Sequence, residues 1–95
     1  MVERREEFID APYEAPQEGL EQKVADIVAD VLGVDRVGRN DGFYDFGGSS
    51  LQAVRICVRI DRDLGLQALP LWLFSNDILY VFVEQLRAGA EQSNA

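Results

Sequence analysis

Leu20, Val24, Ile27, Val28 and Val31 recur at steps of three and four, the period of a helix with one apolar face. The spacing predicts a first helix over about 18–32, with Glu18, Glu21 and Asp26 placing negative charge toward its start and Gly33 ending it. The period then stops. Residues 33–48 hold five glycines and a Phe43-Tyr44-x-Phe46 cluster, which reads as a long loop pinned by buried aromatics. A second helix is expected from Ser50 to about Asp63, with a narrow polar stripe of Gln52, Arg55, Arg59 and Arg62 among apolar residues. Such a helix touches core on more than one side or lends part of its face to partners. Leu51 and Val54, one turn from Ser50, are candidates for the lent part or for core, and the arginines read as a solvated face. After Gly65, Leu69-Pro70-Leu71-Trp72-Leu73-Phe74 reads as a short third helix with Pro70 near its first turn. A fourth helix follows at about 78–88, capped by Asn76 or Asp77, with Leu79, Phe82 and Leu86 facing inward. The expected fold is all-α: a four-helix bundle with a short third helix and a long loop between helices one and two.

The flanks change the picture little. Residues 1–17 are polar and acidic, with Pro12 and Pro16 bracketing Tyr13, and read as an extended leader or linker. The folded domain is placed at 18–88, and 89–95 is expected as a flexible tail. A chain of 95 residues buries only about 60–65% of its unfolded surface, so the room is for a site on the surface rather than an enclosed one. A hydrophobic share of 47% without a long apolar run excludes a membrane span and a disordered chain. The net charge of −8 argues against nucleic acid, which needs a basic face. That acidity is concentrated early, since residues 1–32 carry nine acids against three bases. A cytosolic compartment is the plain reading, because one cysteine closes no internal disulfide and the start lacks a signal-peptide core, and a monomer is expected. With no histidine and a single thiol, the usual zinc sites and the Ser-His and Cys-His nucleophile pairs cannot be assembled. Cys57, between Ile56 and Val58, reads as a small buried apolar side chain.

The candidate chemistry sits at Gly47-Gly48-Ser49-Ser50-Leu51. Paired glycines allow a sharp turn against the helix that follows. Ser49 reads as the N-cap, with Gln52 completing a capping box. Ser50 is then left at the first helical position with a free hydroxyl. Unpaired N–H groups and the positive end of the helix dipole make that a suitable place to hold a phosphate. Competing motifs fail. An EF-hand with Gly42 at its turn would require ligands from Val37 and Arg39 and a glutamate where Gly48 stands. No lysine follows a glycine as in a phosphate-binding loop, and Gly48-Ser49-Ser50 lacks the second glycine of a hydrolase elbow.

Phe43-Tyr44-Asp45-Phe46-Gly47-Gly48-Ser49-Ser50-Leu51 resembles the attachment motif of peptidyl carrier proteins, the thiolation domains of nonribosomal peptide synthetases. The resemblance continues in Leu32-Gly33-Val34, Asp41 and Leu73-Phe74, covers about residues 11–87, and places the chain in the acyl-carrier-like superfamily. Tyr13-Glu14-Ala15-Pro16 resembles the linker from an adenylation domain. The resemblance implies that Ser50 carries phosphopantetheine derived from coenzyme A, with Gly47, Gly48 and Ser49 positioning it. It implies a non-catalytic carrier that holds an amino or aryl acid as a thioester. Its partners would be a phosphopantetheinyl transferase, an adenylation enzyme, and condensation, tailoring or thioesterase enzymes. Two alternatives stand beside it: an acyl carrier for polyketide or fatty-acid intermediates, and a small helical interaction module without an arm. Carriers of fatty-acid type have an acidic second helix, so Arg55, Arg59 and Arg62 favour the peptidyl branch. The chain departs from the pattern at Pro70, one place late, at Leu71 and Trp72, where polar residues are usual, and at Asp77, where proline is common. Leu71 and Trp72 are accordingly expected to form an exposed partner contact, with Trp72 filling a core gap as the alternative.

Overall fold

The computed structural model describes residues 2–93 and contains four α-helices: α1 (Leu20–Leu32), α2 (Ser50–Leu64), α3 (Pro70–Ser75) and α4 (Leu79–Ser93). Single-turn 3-10 helices add Arg5–Glu7 and Phe43–Phe46. α1 packs on α2 and α4, and the short α3 closes the side between α2 and α4. The stripes read from the sequence meet in the middle. Val24, Ile27 and Val28 of α1, Ile56 and Ile60 of α2, Leu73 of α3, and Phe82, Val83 and Leu86 of α4 are all buried. Leu20 and Val31, expected on the same stripe of α1, lie at its edge, partly covered.

The helix ends differ from expectation in instructive ways. α1 begins at Leu20 behind Gly19, which makes no side-chain cap, so Glu18 stays outside the helix. Its C-terminus is as read: Gly33 takes a left-handed φ of 75°, and its N–H returns to Ala29 O and Asp30 O. Neither Asn76 nor Asp77 directly precedes α4. Asn76 Oδ1 accepts from Ile78 N at 3.2 Å. Asp77 instead reaches back to the long loop, where its Oδ2 accepts from Tyr44 N at 3.0 Å. α4 also runs to Ser93, past the expected end near 88. Residues 89–93, expected in a flexible tail, are therefore helical, while 94 and 95 lie outside the described residues.

The loop of 33–48 is held by α4, by the N-terminal segment and by the start of α1. On the α4 side, Phe43 N donates to Asp77 O, Leu79 N to Asp41 O and Tyr80 N to Arg39 O, at 3.0–3.1 Å. On the other side lies the N-terminal segment, read from the sequence as an extended leader. It is instead folded onto the loop, with a parallel bridge between Glu3 and Val34 and with Arg5 buried. Prolines and acids were the visible signal, whereas the anchor is a single arginine whose partner lies in the distant loop.

Glu21, 1% exposed, ties the start of α1 to the same loop. Its carboxylate accepts from Arg39 Nε at 2.8 Å and from Gln17 N at 3.1 Å. Burial alone pushes the Glu21 pKa up, but the Arg39 guanidinium and the Gln17 N–H hold it below its ordinary value of 4.5. A depressed folded-state pKa means that the ion pair stabilises the fold fully above that ordinary value. The contribution is lost as pH falls through the folded value. Thermal melts should therefore show Glu21→Gln lowering Tm at pH 7 and removing part of the decline that the parent chain shows below about pH 4.5. An unchanged acid slope in the variant would contradict that role.

Candidate functional site

Gly47 and Gly48 carry the chain from the Phe43–Phe46 turn into α2. Gly47 sits at a φ of 74°, the left-handed region open to glycine, and its N–H closes the preceding turn. Gly48 lies flat on the buried Phe43 ring, and a Cβ at this position would overlap the ring carbons. The aromatic cluster thus acts as a seat for the glycines. Phe43 and Phe46 are buried, while Tyr44 is half exposed.

Ser49 is the N-cap of α2, and both halves of the capping box are formed. Its Oγ accepts from Gln52 N at 3.2 Å, and Gln52 Oε1 accepts from Ser49 N at 2.9 Å. Ser50 follows as the first residue of the helix and is exposed. Among the described residues, nothing bonds its hydroxyl. Two adjacent hydroxyls therefore have different duties: one is committed to the helix end, and the other faces solvent at the positive end of the helix dipole.

Beside Ser50 the surface is apolar. Leu51 is 58% exposed and Val54 45%, so neither is core. Val58 continues that face at the next turn, and Leu69, Leu71 and Phe74 supply an exposed apolar side on and next to α3. The exposure of Val58, Leu69 and Phe74 was not expected from the sequence, although Leu51, Val54 and Val58 already stood at helical spacing. A groove of about 260 Å³ lies between the two sides, lined by Val54, Cys57, Val58, Asp61, Gln67, Ala68 and Pro70. Trp72 does not share the exposure of Leu71. It is half-buried against the core, and its ring edge packs where Gly89 of α4 leaves room, so a Cβ at Gly89 would stand 3.0 Å from the ring. Neighbouring positions on a helix point about 100° apart, and the contact with Gly89, on another helix, is what separates them.

Cys57 forms the floor of the groove, 6% exposed, and burial pushes its thiol up to about 11. It is packing material rather than a nucleophile. The arginines of α2 divide. Arg55 is exposed, Arg59 pairs with Asp30 of α1 and with Asp63, and Arg62 pairs with Asp63. Among the described residues, no three acidic, cysteine or histidine side chains converge on a possible metal position. No described helix is long and apolar enough to cross a membrane.

A family model described as "Phosphopantetheine attachment site" matches residues 22–79, from the first turn of α1 to the first residue of α4, with Ser50 near its centre. The chain belongs to that phosphopantetheine-attachment family. Within it, the chain matches the peptidyl carrier, or thiolation, domains of nonribosomal peptide synthetases. It is similar to the peptide-synthetase assembly PaxA T1-CDD/PaxB NDD, a docking-domain complex, with 31% identity and a TM-score of 0.76, covering 85% of this chain and 78% of that one. It is also similar to a chain in the complex of the phosphopantetheine transferase Sfp with coenzyme A and a peptidyl carrier protein. That match has 28% identity and a TM-score of 0.74, over 80% of this chain and 99% of that one. Surfactin synthase subunit 1 of Bacillus subtilis is 39% identical over 83 residues, 87% of this chain. The chain spans only 1 to 2% of the length of the curated synthetases it matches. The attachment family needs a serine hydroxyl that is accessible and uncommitted, and the Ser50 position fits that group on both counts.

Proposed function

We propose that this chain is a peptidyl carrier that takes a phosphopantetheine arm on Ser50 and carries an amino or aryl acid in nonribosomal peptide or related biosynthesis. The observation that supports the reading is the contrast between Ser49, held as a cap, and Ser50, exposed with no partner for its hydroxyl among the described residues. In the modification, Ser50 Oγ would form a new bond to the pantetheine-side phosphorus of coenzyme A. The phosphoanhydride bond breaks, adenosine bisphosphate leaves, and the hydroxyl proton passes to a base of the transferase. When bound, the arm supplies a terminal thiol that holds the acid as a thioester.

The contributions of this chain are positional. Gly47 and Gly48 let the loop lie low against Phe43, Ser50 is exposed, and Ser49 caps the first turn of α2. The phosphodiester would sit at a helix N-terminus, where the dipole favours negative charge. The exposed Leu51, Val54 and Leu71, with the edge of Trp72, offer an apolar contact beside the arm. Partners of that kind are the transferase, an adenylation enzyme, and condensation, tailoring or thioesterase enzymes. Tethering raises the effective concentration of the carried acid at each of them to the millimolar range or beyond.

The test is sequential loading followed by intact mass. The chain should first gain one phosphopantetheine from coenzyme A and a phosphopantetheinyl transferase, and then an aminoacyl or aryl group from an adenylation enzyme with ATP. Loading only by malonyl or fatty acyl donors would assign it to the acyl carriers. No modification at all would leave a helical interaction module.

A further inference from the structure

Burying a guanidinium is costly unless its charge is matched and its donors are used, and Arg5 meets both conditions from within a segment that reads as linker. It is 1% exposed. Its Nε donates to Asp41 Oδ2 at 2.5 Å, and its Nη2 donates to Asp41 Oδ1 at 2.8 Å and to Ala11 O at 2.9 Å. The two-pronged grip fixes the plane of the carboxylate as well as its place. Asp41 Oδ2 also accepts from Gly38 N at 2.7 Å, so the same carboxylate closes the loop on itself. The backbone joins in: Glu3 N donates to Gly33 O, Asp35 N to Glu3 O, and Arg5 N to Asp35 Oδ1, at 2.8–2.9 Å.

The same segment touches the other end of the loop. Phe8 meets Phe46 with ring centroids 5.7 Å apart, and Phe46 is the residue before Gly47. Tyr13 is stacked under Arg36, whose guanidinium stands 3.8 Å from the ring centre. Between Asp41 and Phe46 the loop makes its turn onto Gly47-Gly48, with Phe43 beneath Gly48. Residues 3–13 therefore hold both ends of the turn that delivers Ser50.

We infer that Arg5 is a positioning residue for attachment at Ser50: its grip on Asp41, with Phe8 on Phe46, clamps the loop in the shape that presents the serine. The inference rests on the reading of Ser50 as the attachment serine. Without the clamp, the Asp41 carboxylate keeps only the Gly38 N–H, and the loop loses its ties to residues 3–8 while keeping those to α4 and the Arg39–Glu21 pair. The segment adds little to the helical core, because of residues 2–13 only Ile9 packs against the buried hydrophobic cluster, and it does so partly buried at the edge. Release should therefore loosen the loop locally. A transferase that recognises the ordered loop then meets it in only a fraction of molecules, which raises the apparent KM by the inverse of that fraction and leaves kcat in place.

The full chain tests this in two variants. Arg5→Met with Asp41→Asn removes both charges while keeping an acceptor for Gly38 N, and Phe8→Ala removes the second contact from a partly exposed position. Amide hydrogen exchange at 42–48 should rise at least about tenfold in the double variant, with the amides of α1 and α2 unchanged. With coenzyme A and a transferase, the KM for the carrier should rise about three- to tenfold at a kcat within about twofold of the parent. Phe8→Ala should move both readouts in the same direction by less. Unchanged loop exchange and KM would overturn the clamp, as would protection lost equally across α1 and α2. A parent chain that takes no arm would sink the reading of Ser50, not the grip on the loop, which the exchange comparison still decides.

Discussion

Ser50→Ala should abolish transfer of phosphopantetheine while leaving the melting temperature within about 2 °C of the parent, since alanine is the best helix former and the lost hydroxyl has no partner among the described residues. Ser49→Ala should behave in the opposite way. Its oxygen accepts from Gln52 N, and losing a serine cap costs about 0.5–2 kcal/mol, or several degrees in a domain of this size. The variant should still be modified, because the hydroxyl that reacts is untouched. Thermal melts paired with intact mass separate the two serines cleanly. Modification of Ser50→Ala, or failure of a folded Ser49→Ala to be modified, would reverse the assignment.

Phe43→Ala is expected to give the largest stability loss near the site. The ring is 3% exposed and carries Gly48 on its face, so truncation leaves a cavity under the attachment loop as well as removing buried area. Losses for buried Phe→Ala run at about 3–5 kcal/mol, which corresponds to a fall in Tm of more than about 10 °C. The variant should also lose modification, at temperatures where circular dichroism still shows the helix content of the parent, because the glycines would have no seat. A Tm within about 3 °C of the parent would show that the ring is not the support described here.

The helices and the serine site were legible because their determinants are local. A capping box lies within four residues, and an apolar period lies within one helix. Ser49, Ser50 and Gln52 therefore stand where the sequence placed them, and the stripe of Val24, Ile27 and Val28 faces the core. The differences come from contacts between segments far apart in the chain. Arg5 meets Asp41 across 36 positions, and Asp77 turns from capping α4 to bonding Tyr44 N. Trp72 is covered because Gly89, on another helix, leaves it room. Nothing in the local pattern around any of these residues encodes its partner. The exposure of Leu51 and Val54 was open for a similar reason, since an almost wholly apolar helix does not reveal which side its neighbours will cover.

The most direct test of the account is the position of the arm itself. After treatment with coenzyme A and a phosphopantetheinyl transferase, the peptide spanning Phe43 to Arg55 would be fragmented by electron transfer, which cleaves backbone bonds and keeps the phosphodiester intact. The account predicts a single phosphopantetheine, with the added mass beginning at Ser50 and absent from fragments that end at Ser49. An arm on Ser49, on both serines, or on neither would contradict it.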